Sequence, residues 1–305
     1  MRLHDNSKQF SEIILNVSEM SKITVAVIEK DYYVSLILNE FAKSIPNILF
    51  KGGTSLSKCY GIIKRFSEDI DLTLTEEFLT QGNRVETKRK IVEICTEELG
   101  FVITNIDNIR SKKMFNNYKV AYNNLFVGPV EPLVKIDTIF SIKSFPYETR
   151  TATNIIYETL KGKGYDDFLQ NYGLVPFPIR TQTIERTFID KIFALCDYYL
   201  GDFQDRTSRH LYDLYKLYPN VTFGEDFDCL VKETREARSN SPFAISANKS
   251  INIYNVLSEI VSSDFYEKDY NTITKKLLDE NISYEETKVN LCKIRDKVFS
   301  DSKPT

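Results

Sequence analysis

The chemistry-bearing residues of this chain are concentrated between Phe50 and Leu74. There a Lys51-Gly52-Gly53-Thr54-Ser55 stretch is followed, after a short apolar helix pattern, by Ser67-Glu68-Asp69-Ile70-Asp71-Leu72. Gly52 and Gly53 let the backbone come close to a phosphate, and Thr54 and Ser55 stand where a helix would begin, with backbone N–H groups free to face an anion. Side chains alternate across a strand, so Asp69 and Asp71 share one face while Ile70, Leu72 and Leu74 turn to the core. Mg²⁺ takes one or two protein carboxylates together with phosphate oxygens and water. The two pieces would therefore bring phosphate and metal to one edge. Taken singly, each has a plainer reading: a turn with a helix cap, and a solvated strand face. The spacing also departs from the G-x-x-x-x-G-K-[ST] phosphate loop.

A third carboxylate lies in Pro132-Leu133-Val134-Lys135-Ile136-Asp137-Thr138-Ile139-Phe140, a β-rich run in which Leu133, Lys135, Asp137 and Ile139 share a face. If this strand lies beside the Asp69 strand, Asp137 completes a three-aspartate cluster able to hold metal and activate a hydroxyl. Otherwise it is an edge-strand residue with Lys135 as its neighbour.

Farther along, Ile184 to Leu200 is helical in period. Ile184, Phe188, Ile192, Leu195 and Tyr199 form the apolar stripe, Arg186, Asp190 and Asp197 fall on the far side, and Lys191 sits at the margin. A marginal lysine either lays its stem on the core with its ammonium in water or extends a point charge into a cleft. Arg209 and Asp213 are one turn apart on the next helix, where they can pair with each other or reach Lys191 and a phosphate. His4 and His210 are the only histidines, too few to suggest zinc, and His210 reads as a surface or phosphate-facing residue.

These residues need a scaffold. The chain up to about Pro46 reads as helices. From Asn47 to Phe140 strands and helices alternate: Ile48 to Phe50, a Ser55 to Phe66 helix, an Asp69 to Thr75 strand, a Glu86 to Leu99 helix, then strands near Val102, Lys119 to Phe126 and Leu133 to Phe140. Thr149 to Gly164, rich in Thr, Asn, Gly and Lys, and the extended Pro176-Phe177-Pro178 read as connections to a helical region from Thr181 to about Val298. The expected fold is α+β, a mixed sheet with N-terminal helices in residues 1–150 and a C-terminal helical lobe in residues 165–300.

At 305 residues the chain is long enough for two cores. Its five cysteines are scattered, without C-x-x-C spacing, as in a reducing compartment. The start lacks an apolar signal region, and there is no apolar run of about 18 residues, so a cytoplasmic protein without a membrane partner is expected. The formal net charge is −3, which leaves nucleic-acid binding to local clusters: Lys64-Arg65, Lys88-Arg89-Lys90, Lys112-Lys113 and Arg206-Arg209.

Gly52-Gly53-Thr54-Ser55, the Arg65 to Leu72 stretch and Lys135-Ile136-Asp137 resemble the DNA polymerase β-type nucleotidyltransferase superfamily. Within it, the chain is most similar to the AbiEii/AbiGii-type toxins of abortive-infection and type IV toxin–antitoxin systems. Ile28 to Tyr33, Arg186 to Ala194 and Arg209 to Tyr215 extend the resemblance, which runs from about Ile28 to Leu217.

The resemblance implies transfer of a nucleoside monophosphate from an NTP to an RNA acceptor, tRNA above all, blocking growth or phage propagation. It makes Asp69 and Asp71 metal ligands and Asp137 the third acidic position, with Mg²⁺, or Mn²⁺ in its place, as the cofactor. Gly52, Gly53, Thr54, Ser55, Lys191 and Arg209 would serve the nucleotide, and Asp213 would be the polar residue of the helical lobe that activity needs. A cognate antitoxin encoded nearby is a further implied partner. Alternative readings are a small-molecule (antibiotic-type) or protein nucleotidyltransferase, and an inactive nucleotide-binding regulator.

Overall fold

The computed structural model describes residues 2–128 and 130–303, and the chain falls into two units. The first comprises Met1–Tyr60, Ser67–Phe140 and Tyr147–Thr181; the second comprises Gly61–Phe66, Ser141–Pro146 and Gln182–Thr305.

The first unit opens with helices α1 (Ser7–Ser21) and α2 (Val25–Ser44), the former started by Asn6, whose side chain accepts the Gln9 N–H. Then come β1 (Ile48–Lys51), α3 (Gly52–Lys58), β2 (Ile70–Leu74), α4 (Gln81–Glu93), β3 (Val102–Ile103), β4 (Phe115–Ala121), β5 (Leu133–Ile139), β6 (Tyr147–Ala152), α5 (Ile155–Leu160), α6 (Asp166–Asn171) and β7 (Phe177–Gln182). The strands form one mixed sheet in the order β3-β4-β5-β2-β1-β7-β6. β2 runs antiparallel to β1 and parallel to β5, and β4 runs antiparallel to β5.

Period-two alternation decides which sheet face is buried. Ile70, Leu72, Val134, Ile136, Tyr118 and Val120 join Ile28, Ile37, Leu38 and Phe41 of α2 in the core, all almost fully buried. Leu133, Lys135, Asp137 and Ile139, the set expected to share a face, alternate with buried neighbours along β5.

The second unit is helical: α7 (Ile184–Leu200), α8 (Arg209–Leu217), α9 (Glu225–Arg238), α10 (Ile253–Ser263), α11 (Glu267–Thr272) and α12 (Tyr284–Val298). Thr183 caps α7 by accepting the Arg186 N–H, and Ser283 with Glu286 forms a capping box on α12. Phe188, Ile192 and Leu195 of the expected α7 stripe are fully buried.

The α+β class agrees with the sequence expectation, and several element boundaries move. The helix expected to run from Ser55 to Phe66 ends at Lys58, and the strand expected at Lys119 to Phe126 is Phe115–Ala121. Thr149 to Gly164 is not a plain connection, since it contains most of β6 and all of α5, and Pro176 to Pro178 leads into β7. Among the described residues no helix is long and apolar enough to cross a membrane.

Candidate functional site

The strand register of the first unit sets out a row of polar side chains. Asp71 of β2 is paired with Lys51 of β1 on one side and with Asp137 of β5 on the other, and Asp137 is paired in turn with Asn117 of β4. Residues directly opposite on adjacent strands share a face, so Asn117, Asp137, Asp71 and Lys51 lie in line, about 4.8 Å from strand to strand. The Asn117 amide donates to Asp137 at 2.6 Å. Burial pushes the Asp137 carboxyl above its ordinary range; the Asn117 hydrogen bond opposes this, and the negative charge of Asp69 adds to it.

Gly52 is pressed against this row. Its φ is +78°, and a Cβ built on it would lie 2.1 Å from Asp71 Oδ2, so only glycine fits. The chain enters α3 at this residue, and no side chain caps the helix.

Asp69 lies one residue before β2, not on the strand as expected. Its Oδ1 is buried without a hydrogen-bond partner, while its carbonyl accepts from the Thr54 hydroxyl at 2.6 Å. Among the described residues no three His, Cys, Asp or Glu side chains form a group that could hold a metal ion, so the expected three-aspartate cluster is not closed. The donor set present still suits a hard divalent cation. Two carboxylates face each other in register, a third offers an unpartnered oxygen, and the charge of Asp69 adds to the burial that raises Asp137.

The hydroxyls of the glycine turn work differently from the expectation. Thr54 and Ser55 are buried, Thr54 bonding to Ser67 (2.9 Å) and to the Asp69 carbonyl, and Ser55 donating to the Gly52 carbonyl (2.8 Å). These hydroxyl bonds shape the loop around Asp69.

Three consecutive residues of α2 hold this region, a role the sequence reading missed. Glu29 accepts the N–H groups of Leu125 and Phe126, and Lys30, 1% exposed, pairs with Glu68 beside Asp69. Asp31 pairs with Lys58 at the end of α3 and accepts the Ile155 N–H. The available signal was Glu29-Lys30-Asp31 set within an apolar helix, because buried charges persist only when paired.

In the second unit, Asp213 of α8 is fully buried and held from two sides. Arg65 Nε and Nη2 each donate to it at 2.7 Å in a forked pair, and Lys191 Nζ donates at 2.6 Å. Burial alone would raise the Asp213 carboxyl; Arg65 and Lys191 outweigh it and hold the group far below the ordinary range. Burial lowers Lys191, against the pull of Asp213. Lys191 is therefore a buried ion-pair member and not a lysine with its ammonium in water. Arg209, partly exposed, is not the partner of Asp213.

His210 stacks on Tyr198 with ring centroids 5.5 Å apart, and its Nδ1 is buried without a partner. Burial, then the charges of Lys191 and Arg209, hold its pKa well below the usual value, so the ring is neutral. Arg186, Asp190 and Asp197, expected on the solvent side of α7, are instead buried or half-buried. Arg186 donates to the Phe145 and Lys143 carbonyls, and Arg238 bridges Asp190 and Asp197.

One expected basic cluster is likewise engaged. The Lys88 ammonium is buried against the Arg110, Ser111 and Lys113 carbonyls, Arg89 pairs with Glu86 and Glu93, and Lys90 donates to Ser44.

No curated protein matches the chain. The family model described as "Nucleotidyl transferase AbiEii toxin, Type IV TA system" matches residues 36–302, a span that includes the Gly52 turn, all three aspartates, Lys191 and Asp213. On that match, the chain belongs to the AbiEii nucleotidyl transferase toxin family of type IV toxin–antitoxin systems.

Proposed function

We propose that this nucleotidyltransferase toxin moves a nucleoside monophosphate from an NTP to an RNA acceptor, tRNA in particular, in a Mg²⁺-dependent reaction. The observation that carries the reading is the Asp71–Asp137 pair in register beside Gly52. Asp71 and Asp137, with the unpartnered oxygen of Asp69, would hold the metal. When bound, the metal neutralises charge on the triphosphate and supports in-line displacement with pyrophosphate as the leaving group. Asp137, whose raised pKa suits a proton acceptor better than an ordinary carboxylate, takes the proton of the acceptor hydroxyl. Gly52 and Gly53 admit the phosphates close to the backbone. Within the second unit, Asp213 is a positioning residue that orients Lys191 and Arg65.

An RNA acceptor is favoured because a terminal ribose supplies the hydroxyl and the sugar-phosphate backbone supplies charge for exposed lysines to bind. Supply of NTP and tRNA makes the cytoplasm its workplace, and a neighbouring antitoxin would restrain it. Mn²⁺ would substitute for Mg²⁺, and arrest of the host would limit phage propagation. Induced expression tests this reading. Wild-type protein should stop growth with modified tRNA accumulating, co-expression of the adjacent gene should relieve the arrest, and Asp71→Asn should be harmless. Arrest by Asp71→Asn equal to that by wild type would overturn it.

A further inference from the structure

Two residues along from the Asn117–Asp137 pair, β4 and β5 place Lys119 directly opposite Lys135. Burial fixes their direction. Tyr118, Val120, Val134 and Ile136 are buried, so both lysines lie on the outward face, the one that carries Asn117, Asp137 and Asp71. Like charges directly opposite on paired strands destabilise a sheet. Only Lys135 has partial relief, from Glu131 at 3.6 Å, itself well exposed; among the described residues no carboxylate pairs with Lys119. A repulsive pair kept beside a carboxylate row is what a phosphate-binding position requires, because the anion converts the repulsion into binding.

We propose that Lys119 and Lys135 form a phosphate subsite beside the carboxylate row, engaging a backbone phosphate of the RNA acceptor. The proposal rests on the reading of that row as the transfer site and goes beyond it by naming how the acceptor is held. The same chemistry could be met by the NTP's own phosphates, so the test separates the two.

Lys119→Thr and Lys135→Thr replace each lysine with a good strand former. For a backbone contact, each should reduce the slope of log affinity against log salt for a single-stranded RNA by about 0.7. The KM for RNA should rise severalfold, the KM for NTP should stay within twofold, and the melting temperature should hold or rise because a repulsion has been removed. A raised KM for NTP with an unchanged RNA salt slope would assign the subsite to the triphosphate and overturn the acceptor assignment. Unchanged RNA and NTP parameters in variants of a wild type that does transfer would overturn the subsite altogether. A wild type that binds neither RNA nor NTP would instead remove the reading beneath it, and the subsite with it.

Discussion

Asp71 and Asp137 stand opposite one another on adjacent parallel strands, and a β-carbon added to Gly52 would overlap the Asp71 carboxylate. The carboxylate pair and the glycine are therefore one device, because the turn can pass close to the carboxylate edge only where it has no side chain.

Replacing Gly52 should consequently be a functional lesion with a stability cost. Gly52→Ala forces an alanine to φ +78° and onto Asp71. Transfer should fall more than tenfold, with a loss of about 1 kcal/mol or more in urea denaturation. Gly100→Ala is the control: its φ is +71°, but its Cβ would meet nothing within 4 Å. That variant should lose stability and keep its activity; equal activity in both variants would refute the coupling to Asp71.

The Arg65–Asp213–Lys191 group predicts an ordered set of stabilities. Asp213→Asn leaves two buried cations without their counter-charge and should cost about 3–5 kcal/mol. Lys191→Met should cost less, because Arg65 still pairs with Asp213 in a fork. Chemical denaturation of the two variants checks the order; an Asp213→Asn protein as stable as wild type would show that the ion pairs contribute nothing.

The acid limb of the pH–rate profile should report Asp137. Its pKa is raised by burial, so the limb should lie above the ordinary aspartate range. Asn117→Leu removes the hydrogen bond that favours the carboxylate, so the limb should move to higher pH. The linkage sign follows: a raised folded pKa means that the stabilising contribution of protonated Asp137 is present at low pH and disappears as pH rises through that value. An acid limb that Asn117→Leu leaves in place would remove Asp137 from the rate-determining ionisation.

His210 should act in the opposite direction. Its folded pKa is depressed, so below the unfolded value near 6.5 the unfolded chain takes up a proton that the native ring refuses. Stability should therefore fall as pH drops from about 6.5 towards the folded pKa, and His210→Gln should flatten that slope. Melting temperatures measured across this window decide it; parallel curves for the two proteins would show that the ring ionises freely.

The parts of the fold that could be read from sequence were those governed by strand alternation and family motifs. Buried Ile70 and Leu72 flank Asp71 in β2, buried Ile136 and Thr138 flank Asp137 in β5, and parallel pairing of the two strands then put the carboxylates side by side. β6 was hidden because Ala152 alone of its side chains is buried, so it carries no apolar period, and β7 because Pro178 disguises a strand. Charge misled in the other direction. Lys88, Arg186 and Lys191 all looked like surface or cleft cations, yet each is buried against carbonyls or a carboxylate contributed by residues distant in sequence. Helical spacing within one segment says nothing about such partners, and the same holds for the Lys30–Glu68 and Asp31–Lys58 pairs that frame the Asp69 turn.

NTP-dependent modification of RNA by the Asp71–Asp137 edge is tested most directly by incubating purified protein with Mg²⁺, each α-labelled NTP in turn, and total cellular RNA. Label should enter the tRNA fraction with wild type, and Asp69→Asn and Asp71→Asn should fall below about a tenth of that rate, as loss of several kcal/mol of transition-state stabilisation requires. Labelling of protein or of a small molecule with no label in RNA under any nucleotide, or equal labelling of RNA by wild type and Asp71→Asn, would contradict the account.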